Sequence, residues 1–117
     1  MSRERPSRDW VERVRDILAA IAEIQFFTAG MSRAEFLSDA KTIKAVLANF
    51  SIIGEAARHV PDEVCLASPD IAWRQMRDMR NFIVHVYFAV EPAIVWETIQ
   101  SDLPNLATRL TELIATS

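Results

Sequence analysis

The sequence contains only two glycines, Gly30 and Gly54, in 117 residues. Sandwiches and hairpin-rich β folds need many turn positions with positive φ, which glycine adopts without steric cost. Glycine-rich phosphate loops, such as GxGxxG and the P-loop, need glycines spaced within one short segment. This scarcity therefore favours an all-α fold and excludes both glycine-rich nucleotide loops.

Composition indicates one ordinary globular domain spanning residues 1–117, because half of the residues are hydrophobic and a quarter are charged. The single cysteine, Cys65, allows neither an intrachain disulfide nor a cysteine zinc site. A charged start without a signal-peptide core, and no run near the roughly 20 apolar residues of a membrane span, predict a cytoplasmic protein without membrane contact. With a net charge of −3, nucleic-acid binding would depend on local clusters of basic residues.

Apolar residues recur every three or four positions through most of the chain, which predicts helices. The first helix is expected from about residue 7 to Gly30. Ser32 and Glu35 form a capping-box pattern that opens a second helix of about six turns, ended by Pro61. Gly54 within that helix indicates either a close approach to another helix or a functional need for space.

A short connection with one helical turn should follow, and Ser68-Pro69 should start the third helix. Glu91-Pro92 marks the next boundary, and a fourth helix should bury its apolar face while Pro104 kinks it. The sequence therefore predicts an all-α fold, an antiparallel four-helix up-and-down bundle with a kinked C-terminal helix.

Three arginines recur at every third position of the predicted third helix, at Arg74, Arg77 and Arg80. Their spacing places them along one stripe of the helix, with Asp78 as the local acidic residue. Arginine forks bind phosphate oxygens bidentately, so Arg74 and Arg77 are candidate phosphate contacts. The alternative is a solvated face with surface ion pairs.

Polar residues continue beyond Arg80 with Asn81, His85 and Tyr87. Asn81 and His85 share a helix face, and a histidine here could titrate near neutral pH and transfer protons. The apolar neighbours of His85 leave a second interpretation open, a hydrogen-bonded core histidine.

The segment RNFIVHVY at 80–87 resembles the Arg-x4-His-x-Tyr motif of the HEPN superfamily, and specifically HepT-like toxins. The segment IGEAA at 53–57 is similar to that family's helix-two signature. The segments IVWETI at 94–99 and DLP at 102–104 are similar to its fourth helix. The resemblance covers about residues 8 to 112.

The resemblance implies a metal-independent endoribonuclease toxin that works as a cytoplasmic homodimer, with two motifs meeting in a cleft. His85 would be the general acid or base, and Arg80 would hold the scissile phosphate and its transition-state charge. Asn81 would orient the phosphate or His85. RNA would be the substrate, and neither a metal nor a cofactor is expected.

The resemblance also implies a toxin–antitoxin partner, a minimal nucleotidyltransferase antitoxin that transfers AMP to Tyr87. The bulky, anionic AMP group would block RNA and compete for the charge of Arg80. A packing role is the alternative for this tyrosine.

Two other functions remain open at this point. One is a non-catalytic helical module that binds a nucleotide or docks the nucleotidyltransferase, and the other is a plain helical interaction protein. His59, at the predicted C-terminus of the second helix, is expected to cap that helix rather than to bind a metal.

Overall fold

The computed structural model describes residues 9–80 and 91–116, and every regular element within these two ranges is helical. The elements are α1 (Asp9–Thr28), α2 (Arg33–Leu37), α3 (Ala40–Arg58), α4 (Asp62–Ala67), α5 (73–80), α6 (Pro92–Glu97), a π-helical turn (Thr98–Asp102) and α7 (Leu103–Ala115). The predicted all-α class and helical bundle are confirmed. None of the described helices is both long and apolar enough to cross a membrane.

The first helix follows its prediction closely. Its apolar residues at three- and four-residue spacing face the core, and Val14, Ile17 and Ile24 are completely buried. The helix ends at Thr28, and Gly30 follows with a φ of 77°, the left-handed conformation that commonly terminates helices. This glycine therefore serves as the predicted helix stop.

The prediction of one continuous second helix is wrong, because the structure divides this segment into α2 and α3. The capping box is present: the Glu35 amide donates to Ser32 Oγ at 3.1 Å, and the Ser32 amide donates to the Glu35 carboxylate at 2.8 Å. However, α2 ends after five residues, and Asp39 caps a new helix by accepting bonds from the amide and hydroxyl of Thr42. These bonds lower the pKa of the Asp39 carboxyl below its ordinary value.

The physical reason for the break is competition for backbone hydrogen bonds at 38–39. The Ser38 hydroxyl donates to the Glu35 carbonyl at 3.1 Å, and the Asp39 carboxylate takes the place of a carbonyl acceptor for the Thr42 amide. Apolar spacing continues across the break, from Phe36 to Leu47, so periodicity alone could not reveal it.

The helices α1 and α3 form the main packing pair of the fold. On α3, Val46, Phe50 and Ile53 are fully buried in the shared core. The buried Asn49 side chain donates to the Glu23 carboxylate on α1 at 3.0 Å, which satisfies a polar group in that interface. This pair gives α3 a fixed position on which α5 can pack.

The entry into α5 also differs from the prediction. The expected helical turn after Pro61 is present as α4, but the next helix begins at residue 73 rather than at Ser68-Pro69. The Ser68 carbonyl instead accepts bonds from the Ile71 amide and from the Trp73 indole, both at 3.1 Å. These bonds hold a turn ahead of α5, and Ala72, the residue just before the helix, is exposed.

The C-terminal helices bury the predicted apolar face, with Val95, Ile99, Leu103, Leu106 and Leu110 all buried and Leu113 partly buried. The expected irregularity next to Pro104 takes the form of a π-helical turn, in which the Leu103 amide donates to the Thr98 carbonyl. Pro104 has no amide N–H to donate, and the wider turn accommodates this missing hydrogen bond. Arg109 on α7 forms an ion pair with Asp70, which ties this end of the bundle to the turn before α5.

Candidate phosphate-binding site

The crossing of α3 and α5 is unusually close at Gly54. A Cβ atom at this position would lie 3.1 Å from the Arg80 amide nitrogen, 3.2 Å from the Met76 carbonyl oxygen and 3.3 Å from Arg80 Cβ. Two of these three atoms belong to the backbone and cannot rotate away. Of the two roles considered for Gly54, the structure therefore shows the close helix approach.

Arg80 is the residue that this close approach places beside α3. Its side chain is 56% exposed, and Nη1 donates to Oε1 of Glu55 at 3.3 Å. Glu55 directly follows Gly54, so the segment at 53–57 and the start of the segment at 80–87 meet in space. Between partly exposed groups, such an ion pair contributes about 0–1 kcal/mol to stability.

Glu55 also contacts a second basic side chain. Its Oε2 atom lies 3.5 Å from Nε2 of His59, which is the C-cap residue of α3 as its position in the sequence predicted. Both side chains are about half exposed. The carboxylate thus lies between the imidazole of His59 and the guanidinium of Arg80, one oxygen facing each.

Arg77 has a different environment, although it belongs to the same predicted stripe. Its Nε donates to the Ala57 carbonyl at 3.1 Å, and its Nη2 donates to the Val60 carbonyl at 3.0 Å. These bonds satisfy carbonyl groups at the C-terminus of α3. Arg74 is exposed. The phosphate contacts of Arg74 and Arg77 stay predictions, and sequence reasoning missed the capping role of Arg77.

The Arg77 guanidinium also contacts the cysteine, with Nη2 3.3 Å from Cys65 Sγ. Burial raises the pKa of the Cys65 thiol, and the nearby positive charge of Arg77 opposes this shift only in part. A thiol kept protonated in this way is a poor nucleophile. Across 9–80 and 91–116, no group of three or more histidine, cysteine, aspartate or glutamate residues could hold a metal ion.

Several predicted site residues, Asn81, His85 and Tyr87, lie outside the described residues. Arg80 is the last residue described before 81–90. Trp73 and Trp96, whose aromatic rings could stack on bases if exposed, are buried, and the Trp96 ring packs against Phe36 with centroids 5.2 Å apart. These tryptophans are core residues.

A separate groove of about 490 Å³ lies between α5 and the C-terminal helices. Carboxylates of Asp70, Asp78 and Asp102 line it together with Arg109, which already pairs with Asp70. An acidic lining repels phosphate. Within the part of the chain that the structure describes, the exposed Arg80 is therefore better placed than this groove to meet a phosphate.

The role of Glu55 was not predicted from the sequence, although it lies within the IGEAA segment. It is separated from Arg80 by 25 positions, and no local pattern connects two residues so far apart. In the sequence, only the resemblance of both segments, 53–57 and 80–87, to the same family connects these two residues.

Known proteins are similar to this chain over most of its length. A family model described as "Ribonuclease HepT-like" matches residues 17–113. The chain is 36% identical over 110 residues to "Probable ribonuclease HepT" of Thermococcus cleftensis, covering 94% of this chain and 97% of that protein. It is 33% identical over 109 residues to "Putative RNase MJ0127" of Methanocaldococcus jannaschii, covering 93% and 90% of the two chains. No solved structure matches the chain.

The helical bundle and these matches define a domain of the HEPN superfamily. Within it, the chain belongs to the ribonuclease HepT-like family.

The replacement Gly54→Val tests the close crossing. Its branched side chain would push against the backbone of α5, so we expect the free energy of unfolding to fall by about 2 kcal/mol. Urea unfolding followed by circular dichroism measures this change. The matched control is Ala48→Val on the exposed side of the same helix, expected to shift stability by less than about 0.5 kcal/mol. Equal effects of the two variants would contradict the role of Gly54.

Proposed function

We propose that the protein is a metal-independent endoribonuclease, the toxin of a toxin–antitoxin pair. The observation that carries this proposal is the exposed Arg80 guanidinium, positioned where α3 and α5 cross, in a chain of the HepT-like family. Relatives named as ribonucleases support the same substrate class.

RNA supplies its own nucleophile, so the chemistry needs only proton transfer and charge stabilisation. The 2′-oxygen attacks the adjacent phosphorus, the bond to the 5′-oxygen breaks, and a 2′,3′-cyclic phosphate forms. In this proposal His85 takes the proton from the 2′-hydroxyl or gives one to the leaving 5′-oxygen. Arg80 stabilises the extra negative charge on the phosphorus-bound oxygens, and Asn81 orients the phosphate or His85. Arg74 and Arg77 are proposed as outer phosphate contacts, Arg77 through Nη1 because its Nε and Nη2 donate to the Ala57 and Val60 carbonyls.

The direct test is cleavage of RNA by the purified protein in the presence of EDTA. We expect cleavage to persist and to leave 2′,3′-cyclic phosphate ends, because no step requires a metal. Arg80→Ala and His85→Ala should each lower the rate by about 10²-fold or more, since each removes charge stabilisation or proton transfer. Product ends and rates are measured by gel electrophoresis and mass spectrometry.

A matched control is Arg15→Ala, because Arg15 is an exposed arginine that pairs with a glutamate on α1. This variant should cleave RNA like the parent protein. Absence of cleavage on every RNA tried, with intact mass showing an unmodified Tyr87, would contradict the ribonuclease proposal. It would favour the second candidate, a non-catalytic module that binds a nucleotide or docks a nucleotidyltransferase.

We also propose that the active form is a homodimer. Each copy carries one Arg80 and one His85, and acid–base chemistry on both sides of a phosphate is served by two sets. Ile52 lies one helical turn before Glu55 on α3 and is 48% exposed. An apolar side chain beside the Arg80–Glu55 pair is a surface that a second copy would bury.

The variant Ile52→Lys tests this interface, because a buried lysine without a partner disfavours association. We expect the molar mass in solution to fall from twice 13.3 kDa to 13.3 kDa, together with loss of RNA cleavage. Light scattering after size-exclusion chromatography gives the mass. Phe26 is 79% exposed near the C-terminal end of α1, so Phe26→Lys should leave the molar mass and the RNA cleavage unchanged. A dimeric, active Ile52→Lys would rule this face out.

The proposed regulator is a minimal nucleotidyltransferase antitoxin that uses ATP. The Tyr87 hydroxyl oxygen attacks the α-phosphorus of ATP, pyrophosphate leaves, and the phenolic proton passes to solvent or a base. The product carries a phosphodiester anion close in sequence to Arg80 and His85. That anion competes with RNA for the arginine.

Treatment with the cognate nucleotidyltransferase and ATP should therefore increase the protein mass by one AMP and abolish RNA cleavage. Tyr87→Phe should keep its mass, since it lacks the accepting oxygen, and should remain an active ribonuclease. Intact mass spectrometry and the cleavage assay provide the two readouts. Modification of Tyr87→Phe to the same extent would place the acceptor on another residue.

A further inference from the structure

We propose that Glu55 is a positioning residue that orients the Arg80 guanidinium for a scissile phosphate. The inference rests on the proposed function and assigns a role to a residue outside the Arg-x4-His-x-Tyr motif. It is carried by the contact between Nη1 of Arg80 and Oε1 of Glu55 at 3.3 Å and by the close backbone crossing at Gly54.

Helix packing fixes the backbone position of Arg80 independently of its side-chain contacts. Gly54 allows α5 to approach until the Arg80 amide and Cβ lie against α3. An arginine side chain that is 56% exposed nevertheless loses considerable rotamer entropy when it binds a ligand. Glu55, the residue next to Gly54, bears the carboxylate that restricts this freedom in advance.

The contact geometry leaves the guanidinium able to bind. Glu55 meets Arg80 through Nη1, whereas the side edge of a guanidinium is formed by Nε and Nη2. Two phosphate oxygens match that edge in a bidentate contact. A single carboxylate contact at Nη1 therefore orients the group without occupying the edge that a phosphate needs.

Glu55 is itself held from a second direction. Its Oε2 lies 3.5 Å from Nε2 of His59 at the end of α3, while Oε1 faces Arg80. The carboxylate therefore has contacts on two sides, with one oxygen toward the imidazole and the other toward the guanidinium. His59 thereby supports the orientation of Arg80 through Glu55.

The negative charge of Glu55 has an opposite effect on RNA binding. A carboxylate close to the phosphate backbone repels it, so removal of the charge should tighten binding. Orientation of Arg80 and repulsion of RNA therefore appear in different kinetic constants. Loss of orientation lowers kcat, whereas loss of repulsion lowers the KM for RNA.

The experiment compares Glu55→Ala, Glu55→Gln and the parent protein by steady-state cleavage of a fluorescent RNA. Glu55→Ala should lower kcat about three- to five-fold, the rate equivalent of an exposed ion pair, without raising KM. Glu55→Gln keeps an oxygen that accepts from Nη1, so kcat should stay within about two-fold of the parent. Its KM should fall because the charge is gone.

The matched control is Glu12→Ala, which removes the exposed glutamate that pairs with Arg15 on α1. Both of its kinetic constants should equal those of the parent protein. A second readout does not depend on activity: the heteronuclear NOE of the Arg80 Nε–Hε group should fall in Glu55→Ala and stay near the parent value in Glu55→Gln.

A parental kcat in Glu55→Ala, or an unchanged NOE, would overturn the positioning role. Equal losses of kcat in Glu55→Ala and Glu55→Gln would overturn it as well, because the retained acceptor would then have no effect. If the parent protein cleaves no RNA, the proposed function fails. The NOE comparison then still decides whether Glu55 holds Arg80.

Discussion

The close approach of α3 and α5 at Gly54 is the constraint on which the candidate site depends. With backbone atoms of α5 little more than 3 Å from a would-be Cβ, the residue at 54 determines how far apart the two helices lie. A side chain at this position would press on the backbone of α5 at Met76 and Arg80, and to accommodate a Cβ atom this backbone must shift by a few tenths of an ångström. The position of the Arg80 guanidinium therefore depends on the lack of a side chain at Gly54. The contact between Arg80 and Glu55 forms at the helix spacing that this glycine allows.

A second arginine of α5 stabilises the same end of α3. Its role is structural, in contrast to that of the exposed Arg80. Arg77 donates to the Ala57 and Val60 carbonyls, one turn before Arg80 reaches Glu55. Removing Arg77 would take one donor from each of these carbonyls and loosen the crossing, although the Val60 amide would still donate to the Ala57 carbonyl. Two arginines three positions apart thus have different tasks: one holds the helices together, and the other presents its guanidinium at the surface.

Local charge matters here because the chain as a whole is acidic. A net charge of −3 gives no general attraction for RNA, and the groove beside α7 is lined by carboxylates. Basic groups are instead found around the C-terminus of α3, where His59 and Arg80 lie on either side of Glu55. In the proposed ribonuclease, recognition of RNA would therefore be confined to this site, and a second copy of the chain would add to it.

Apolar periodicity indicated the helical class, and the backbone properties of glycine and proline indicated the stop at Gly30 and the irregularity near Pro104, because these features follow from residues close together in sequence. Apolar periodicity failed at Ser38-Asp39 and at the start of α5, where polar groups redirect backbone hydrogen bonds without altering the apolar spacing. The motif resemblance predicted Arg80 as a candidate site residue. Tertiary structure alone decided that Glu55 contacts it and that Arg77 caps α3, because these contacts join residues that are distant in sequence and depend on how closely two helices pack.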